Sequence, residues 1–254
     1  MCGRYAIYGP VSRKHRDLLE FLERELGFEP TWNAAPTQPL PVYRVSSKRG
    51  PELSLLRWGL VPYWAKNAAI GAKMINARDD TLAEKPAFRS AFERRRCLVP
   101  MSGFYEWQKA PRKVPHYIHL LNAPLFAVAG LWEYWSGKDG AEPIVSFSVI
   151  TTAANDLIAK LHDRMPVILA ECDYQAWLNP ENRDTAALGA LLKPYPAEEM
   201  RSYPVSPRVN SADNNGPELI EPVRSPPTPL AGGEGKEKDR QPGLFPNGDD
   251  SEEV

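Results

Sequence analysis

An α+β fold with a mostly antiparallel, barrel-like sheet flanked by helices is what this sequence predicts, on three observations. Stretches rich in β-branched and aromatic residues are punctuated by Pro and Gly rather than by helices. Helical periodicity is confined to a few short segments. Apolar residues make up 43% of the 254 positions, enough for one sizeable core. A doubly wound parallel sheet would need a helix between successive strands, and those helices are missing.

The elements follow in order. Ser12 is placed to cap a first helix, Leu18, Leu19, Leu22 and Leu26 recur at helical spacing, and Gly27 suits a left-handed stop. Strands are predicted over 40–45, 53–58, 97–100, 117–121, 126–134 and 146–151. A second helix is predicted from Thr81, with Glu84 completing a capping box and Phe88, Ala91 and Phe92 turned inward. The run Arg94-Arg95-Arg96 then reads as a solvated helix end. Further helices are predicted over 155–161, 173–178 and 185–192. Beyond Val223 the chain turns to Pro, Gly, Ser and charge without apolar periodicity. One domain over 2–223 and a disordered tail over 224–254 are therefore expected.

Composition narrows the function classes. Three cysteines, an odd number, with no signal-like start and no membrane-length apolar run, point to a reducing cytoplasm and no membrane association. Cys97 and Cys172 have apolar neighbours and read as packing residues. His15, His116, His119 and His162 lie away from paired cysteines, so no metal or other cofactor is expected. The net charge of −1 conceals an asymmetry: residues 1–209 hold 27 Lys and Arg against 22 Asp and Glu, the remainder 4 against 10. A modestly basic body is compatible with a phosphate backbone without demanding one. The acidic tail could compete for the same surface.

Cys2 constrains the chemistry most. Removal of Met1, the usual fate before a small second residue, leaves a free α-amine and a thiol on one residue. The amine can attack an aldehyde to give an imine, and the sulfur can then close onto the imine carbon as a five-membered thiazolidine. Ordinary values of about 8 for the amine and about 8.5 for the thiol would give both a usable nucleophilic fraction. The competing reading is a cysteine left by accident at a tolerant chain end.

Further segments pair an ionisable or polar residue with neighbours that would hold it: Arg57-Trp58-Gly59-Leu60-Val61-Pro62-Tyr63-Trp64, Met74-Ile75-Asn76-Ala77-Arg78, Gly103-Phe104-Tyr105-Glu106-Trp107 and Leu161-His162-Asp163-Arg164-Met165-Pro166. With the Met-Cys-Gly-Arg start and Trp32-Asn33-Ala34-Ala35-Pro36-Thr37, they occur in the order of the SOS-response-associated peptidase family, also called abasic-site processing proteins. The chain resembles that family over roughly 2–223. The resemblance implies a monomeric, nucleoid-associated protein whose Cys2 crosslinks to abasic sites in single-stranded DNA, by lyase-type aldehyde chemistry.

The same resemblance implies roles for residues whose local reading stays open. His162 would pass protons during opening of the abasic sugar, or donate a structural hydrogen bond. Glu106, between two aromatics, would be a desolvated proton shuttle with a raised pKa. Alternation gives the other reading, because Phe104, Glu106 and Gln108 share one face while Tyr105 and Trp107 share the opposite one. Asn76 would orient the sugar hydroxyl or the amine, or occupy a turn. Arg4, Arg78 and Arg164 would converge on phosphates flanking the lesion, and Trp58 and Trp64 bracket a loop that presents at least one of them to a base. Trp64 is the one expected to be exposed. Ala65 stands where some family members carry a second tryptophan. Gly3, Asn33, Pro36 and Thr151 complete the implied DNA-binding set.

Rival readings keep Cys2 and change the chemistry. N-terminal-nucleophile amidotransferases also begin Met-Cys-Gly, but their second motifs and their partner synthetase domain are missing. A cysteine peptidase that removes its own Met1 explains maturation less economically than a host aminopeptidase, and a sensor whose crosslink is a permanent cap differs only in turnover. In the tail, Gln241-Pro242-Gly243-Leu244-Phe245 resembles the Gln-x-x-Leu-Phe peptides that dock on the bacterial sliding clamp.

Overall fold

A computed structural model of the chain describes residues 2–9, 23–46, 50–108 and 113–223. Among these the strands are β1 (Tyr5–Ile7), β2 (Thr31–Ala34), β3 (Pro39–Ser46), β4 (Gly50–Trp58), β5 (Asn76–Arg78), β6 (Arg96–Met101), β7 (Gly103–Gln108), β8 (Val114–Leu120), β9 (Phe126–Trp135), β10 (Ile144–Ala153), β11 (Arg164–Pro166) and β12 (Met200–Pro204). The α-helices are short: α1 (Arg89–Arg94), α2 (Tyr174–Leu178) and α3 (Thr185–Gly189).

β10 decides the architecture because it is paired along both edges. Its first half pairs antiparallel with β9 and, through Ser146↔Arg57 and Phe147↔Trp58, parallel with β4. β4 pairs with β3, β3 with β6 and β6 with β9, all antiparallel, so the ring β10-β4-β3-β6-β9 closes on itself. Closure removes exposed strand edges from this part of the molecule. Further along β10 the partners change. β5 takes over from β4 with Val149↔Asn76 and Thr151↔Arg78, and β11 takes over from β9 with Thr151↔Pro166 and Ala153↔Arg164. Two of the segments singled out in the sequence, 74–78 and 161–166, thus lie at one end of one strand.

The second sheet, ordered β12-β8-β7-β1-β2, is antiparallel throughout. The chain passes into it from β6 to β7 at Ser102, whose hydroxyl donates to the Tyr8 carbonyl and accepts from the Tyr8 N–H. Gly103 is obligatory at this crossing: a Cβ there would lie 2.3 Å from the Tyr117 ring and 2.7 Å from the Ile118 carbonyl oxygen.

Alternation sorts the side chains into layers. Leu40, Val42, Leu56, Trp58, Cys97, Val99, Phe147 and Val149 fill the barrel and merge with Tyr5, Phe104 and Ile118 from the second sheet. Burying each such side chain contributes about 1.5–3 kcal/mol. Outward residues such as Leu98, Ala129 and Ile150 pack under Phe92, Trp177 and Leu188 from the helices. The far face of the second sheet, with Tyr105 and Tyr117, is covered by Val205 and Val209.

The α+β, barrel-like expectation agrees with this architecture, and all of the predicted strands lie within β3, β4, β6, β8, β9 and β10 apart from the last residue of the fourth. The helix expected from Thr81 starts instead at Arg89. Pro86 disfavours helical backbone at Lys85, and the Thr81 hydroxyl bonds the Arg78 carbonyl rather than capping a helix. Phe88, Ala91 and Phe92 are buried as expected. The 155–161 helix shrinks to a 3-10 turn at Ile158–Lys160, and the 185–192 helix ends at Gly189. Cys172 is exposed, so it is not a packing residue, whereas Cys97 is buried. Gly27 ends the helical residues 23–26 at φ 60°. Ser12, Leu18, Leu19 and Leu22, and the 224–254 tail with Gln241 to Phe245, lie outside the described residues.

Arg96 corrects the solvated-end reading of the basic run. It is 2% exposed, and its guanidinium donates to the carbonyls of Phe92, Glu93, Trp177, Asn179 and Asn182, tying α1 to the segment after α2. Arg95 bonds Glu133 at 2.7 Å, and only Arg94 is fully solvated. Replacing Arg96 removes the donor from five carbonyls, and the bonds to Phe92 and Trp177 are fully buried, where loss of a partner is costly. Arg96→Met should therefore lower stability in urea titrations by about 3 kcal/mol or more, while Arg94→Met should change it by less than about 0.5 kcal/mol.

Candidate active site at the buried N-terminus

Cys2 is fully buried even though it is the second residue of the chain. β1 lies between β2 and β7, and the ladder continues beyond it: the Tyr105 N–H donates to the Arg4 carbonyl at 3.0 Å. The Tyr5↔Phe104 register, extended by two residues, sets Gly3 opposite Glu106. A residue without a side chain at that point leaves room between the strands. From the other side the Asn76 Nδ2 donates to the Cys2 carbonyl at 2.8 Å. Three sequence-predicted residues, Cys2, Asn76 and Glu106, are thus brought together from three distant segments.

Glu106 is 3% exposed. The alternation read from the sequence holds, but the face shared by Phe104 and Glu106 points into the main core, and the opposite face packs under residues 205–209. Both faces are covered, which overturns the solvent-facing reading of Glu106. Asn76 likewise occupies a strand rather than a turn. Its Oδ1 is buried and accepts no hydrogen bond.

The thiol departs from the ordinary value assumed from sequence. Burial, reinforced by the Glu106 carboxylate, pushes Cys2 up to about 12. Its Sγ lies 3.8 Å from the Arg4 carbonyl oxygen, to which it donates weakly. Neutral sulfur therefore dominates near pH 7, and a base is needed before it can attack.

His162 follows the 3-10 turn that leads into β11. Its Nδ1 accepts the Arg164 N–H at 3.1 Å and lies 2.8 Å from the Asp163 Oδ1. The first contact needs a bare Nδ1 and the second a proton on it, so the tautomer or charge of the ring decides which is made.

The expected DNA-binding groups divide. Arg4 donates to Asn33 Oδ1 at 3.0 Å and to the Val209 and Asn210 carbonyls, and Asn33 Nδ2 bonds the Val209, Ser211 and Asn214 carbonyls. Both fasten residues 209–214 to the N-terminal strands. Trp58 is fully buried, its indole donating to the Ile75 carbonyl, which rules out base stacking. Thr151 is fully buried, and Arg164, 8% exposed, bonds Asp79 and the Thr151 carbonyl. Arg78 is exposed on β5, two residues from Asn76, and Trp64 is 41% exposed as expected. Pro36 is half-buried beside Thr37, whose N–H donates to the Trp58 carbonyl.

Sequence reasoning missed three neighbours. Tyr63, 58% exposed, supplies an aromatic beside Trp64 where Ala65 is buried. Asp79 and Asp80 hold Arg164 and Arg78, and their position directly after the Asn-Ala-Arg segment was the available signal. Among the described residues no cluster of three or more His, Cys, Asp or Glu could hold a metal ion, and no helix is long and apolar enough to cross a membrane.

Comparisons with known proteins agree on a family. The model described as SOS response associated peptidase (SRAP) matches residues 1–212. The abasic site processing protein YoqW of Bacillus subtilis is 44% identical over 225 residues, covering 87% of this chain and 99% of that protein. HMCES of Xenopus tropicalis, also an abasic site processing protein, is 31% identical, covering 76% of this chain and 66% of its own. A crystal structure of a Bacteroides thetaiotaomicron protein superposes with a TM-score of 0.75 at 28% identity, covering 88% of this chain and 100% of that one.

Burial orders the reactivity of the thiols. Iodoacetamide at pH 7 should modify exposed Cys172 first and leave Cys2 and Cys97 unlabelled in the native protein. A raised pKa means less thiolate at neutral pH, so Cys2 labelling should accelerate about tenfold per pH unit between 7 and 9. Peptide mass mapping of timed samples measures both, and labelling of Cys2 at the Cys172 rate would contradict the buried site.

Proposed function

Because the chain belongs to the SOS response associated peptidase family, we propose that it captures abasic sites in single-stranded DNA as a covalent thiazolidine on Cys2 once Met1 has been removed. The observation that carries this reading is the hold of Asn76 on the Cys2 carbonyl beside buried Glu106. It fixes the main chain of the one residue whose amine and thiol can act together.

The chemistry follows from the two nucleophiles. A free α-amine has an ordinary pKa of about 8, far below that of the buried thiol, so the amine reacts first. Its nitrogen adds to C1′ of the open-chain aldehyde, and the resulting carbinolamine loses water to give an imine. The Cys2 sulfur then adds to the imine carbon: the S–H proton leaves, the C=N electron pair moves to nitrogen, and nitrogen takes up a proton. Glu106 is placed to accept the thiol proton and return it to nitrogen. The unpartnered Oδ1 of Asn76 suits an N–H of the new α-amine. His162 serves as acid and base for opening the closed sugar.

Acyl transfer is disfavoured on the same grounds. It needs a thiolate with a lowered pKa as the first nucleophile, and here the thiol is pushed up. For DNA, Trp64 and Tyr63 offer flat faces to unpaired bases, and Arg78 offers a guanidinium to a phosphate, with Arg164 beneath it. Single-stranded DNA suits this arrangement because the sugar must reach a residue buried in a sheet.

Intact mass spectrometry with an abasic-site oligonucleotide should show one adduct, equal in mass to the Met1-free protein plus the oligonucleotide minus one water. Cys2→Ala keeps the amine and should give only an imine that borohydride traps. A heat-stable adduct on Cys2→Ala, or on protein that retains Met1, would sink the mechanism. Glu106→Gln and Asn76→Ala should each slow adduct formation by about tenfold or more while the circular dichroism stays native.

A further inference from the structure

Arg78 and Arg164 reach the same point from different strands. They extend from β5 and β11, which flank the same stretch of β10: Thr151 pairs with Arg78 on one edge and with Pro166 on the other. Strand alternation puts Asn76 and Arg78 on one face of β5, about 7 Å apart. Asn76 holds the Cys2 carbonyl, so an anion bound at Arg78 sits about one strand repeat from the reactive residue.

That anion position is already filled by this chain. Asp80 Oδ1 accepts from Arg78 Nε at 3.1 Å and its Oδ2 from Arg78 NH2 at 2.5 Å, a two-pronged contact of the kind a phosphate makes. The same Oδ2 lies 3.9 Å from Arg164 NH1. One carboxylate thus bridges two guanidiniums that converge on it. The arginines differ in how firmly they are held. Arg164 is 10% exposed in its side chain and locked by Asp79 at 2.6 Å, whereas Arg78 and Asp80 are 50% and 47% exposed. An exposed, solvent-screened pair of this kind is worth little, so an incoming phosphate can displace it.

We propose that Asp80 is an internal stand-in for a DNA phosphate, holding the Arg78–Arg164 anion position in the free protein and exchanged for a phosphate when a strand binds. This deepens the DNA-capture reading above and rests on it. The exchange lowers affinity for any strand alike. A strand with an abasic site is nevertheless retained by its bond to Cys2, while an intact strand has nothing to offset the loss. Asp80 thereby favours release of undamaged DNA.

The test is fluorescence anisotropy of an undamaged single-stranded oligonucleotide with the full chain, Asp80→Asn, Arg78→Ala, the double variant and the exposed charge control Glu181→Gln, each checked for native circular dichroism. Asp80→Asn should bind about two- to fivefold more tightly, a modest gain because the displaced pair is exposed. Its binding should also weaken more steeply with salt, as expected when a phosphate meets an uncompensated cation. Arg78→Ala should weaken binding and erase most of the gain from Asp80→Asn in the double variant. Equal gains from Asp80→Asn with and without Arg78, or from Glu181→Gln, would reduce the effect to net charge and overturn the proposal. Weaker binding by Asp80→Asn would overturn it by making Asp80 a support for Arg78. Unchanged binding by Arg78→Ala would overturn both this proposal and the phosphate role of Arg78, leaving covalent capture at Cys2 to be judged by its own adduct.

Discussion

The hydrogen bond from Asn76 to the Cys2 carbonyl depends on β1 being an internal strand of a sheet, and the rest of the site depends on that bond. Chain ends are ordinarily exposed and poorly ordered. Here β1 has β2 on one edge and β7 on the other, the Arg4 carbonyl extends the ladder toward the terminus, and Tyr5 and Ile7 are fully buried. A terminus built this way has a fixed α-carbon and hence a fixed direction for its amine. It also carries a cost, since the thiol is buried with it and loses its ordinary acidity. Positioning and acidity are opposite consequences of one burial, and Glu106 is the group whose location can reconcile them.

Much of the fold was legible because barrel strands alternate. The predicted strands were long and rich in β-branched residues, and they are the strands of the closed ring together with β8. The short strands β1, β2, β5, β11 and β12 hold only three to five residues each, too few for a period to emerge. Their pairing is set by long-range contacts such as Thr151↔Arg78. Helix ends were legible where backbone chemistry was local, as at Gly27, and were missed where Pro86 intervened.

Within the site, orientation was not legible. Cys2 drew notice through its own chemistry, whereas Asn76 and Glu106 were named through the family resemblance and their local readings stayed open. Whether Glu106 faced water depended on which face of β7 was covered, and the answer, both faces, comes from residues 205–209 some hundred positions away. Arginines were the poorest guides, for a guanidinium suits a phosphate and a backbone carbonyl equally well. Arg4 and Arg96 turned inward to carbonyls, Arg164 to a carbonyl and an aspartate, and Arg78 alone of these four stands open to solvent.

That distribution bears on how a chain with net charge −1 can hold DNA at all. Long-range attraction from so small a charge is weak, so non-covalent affinity has to come from a few local contacts. Arg78 and Arg164 are counterbalanced by Asp79 and Asp80, which leaves the arginine cluster itself close to neutral. In the proposed function a weak grip and a selective bond fit together. A protein that clung to every single strand would spend its time on intact DNA, whereas one that binds loosely samples many positions before an aldehyde meets the amine of Cys2. Selectivity then resides in the bond, because undamaged deoxyribose has no aldehyde to offer, and the scaffold has only to present the amine, shield the sulfur and let everything else go.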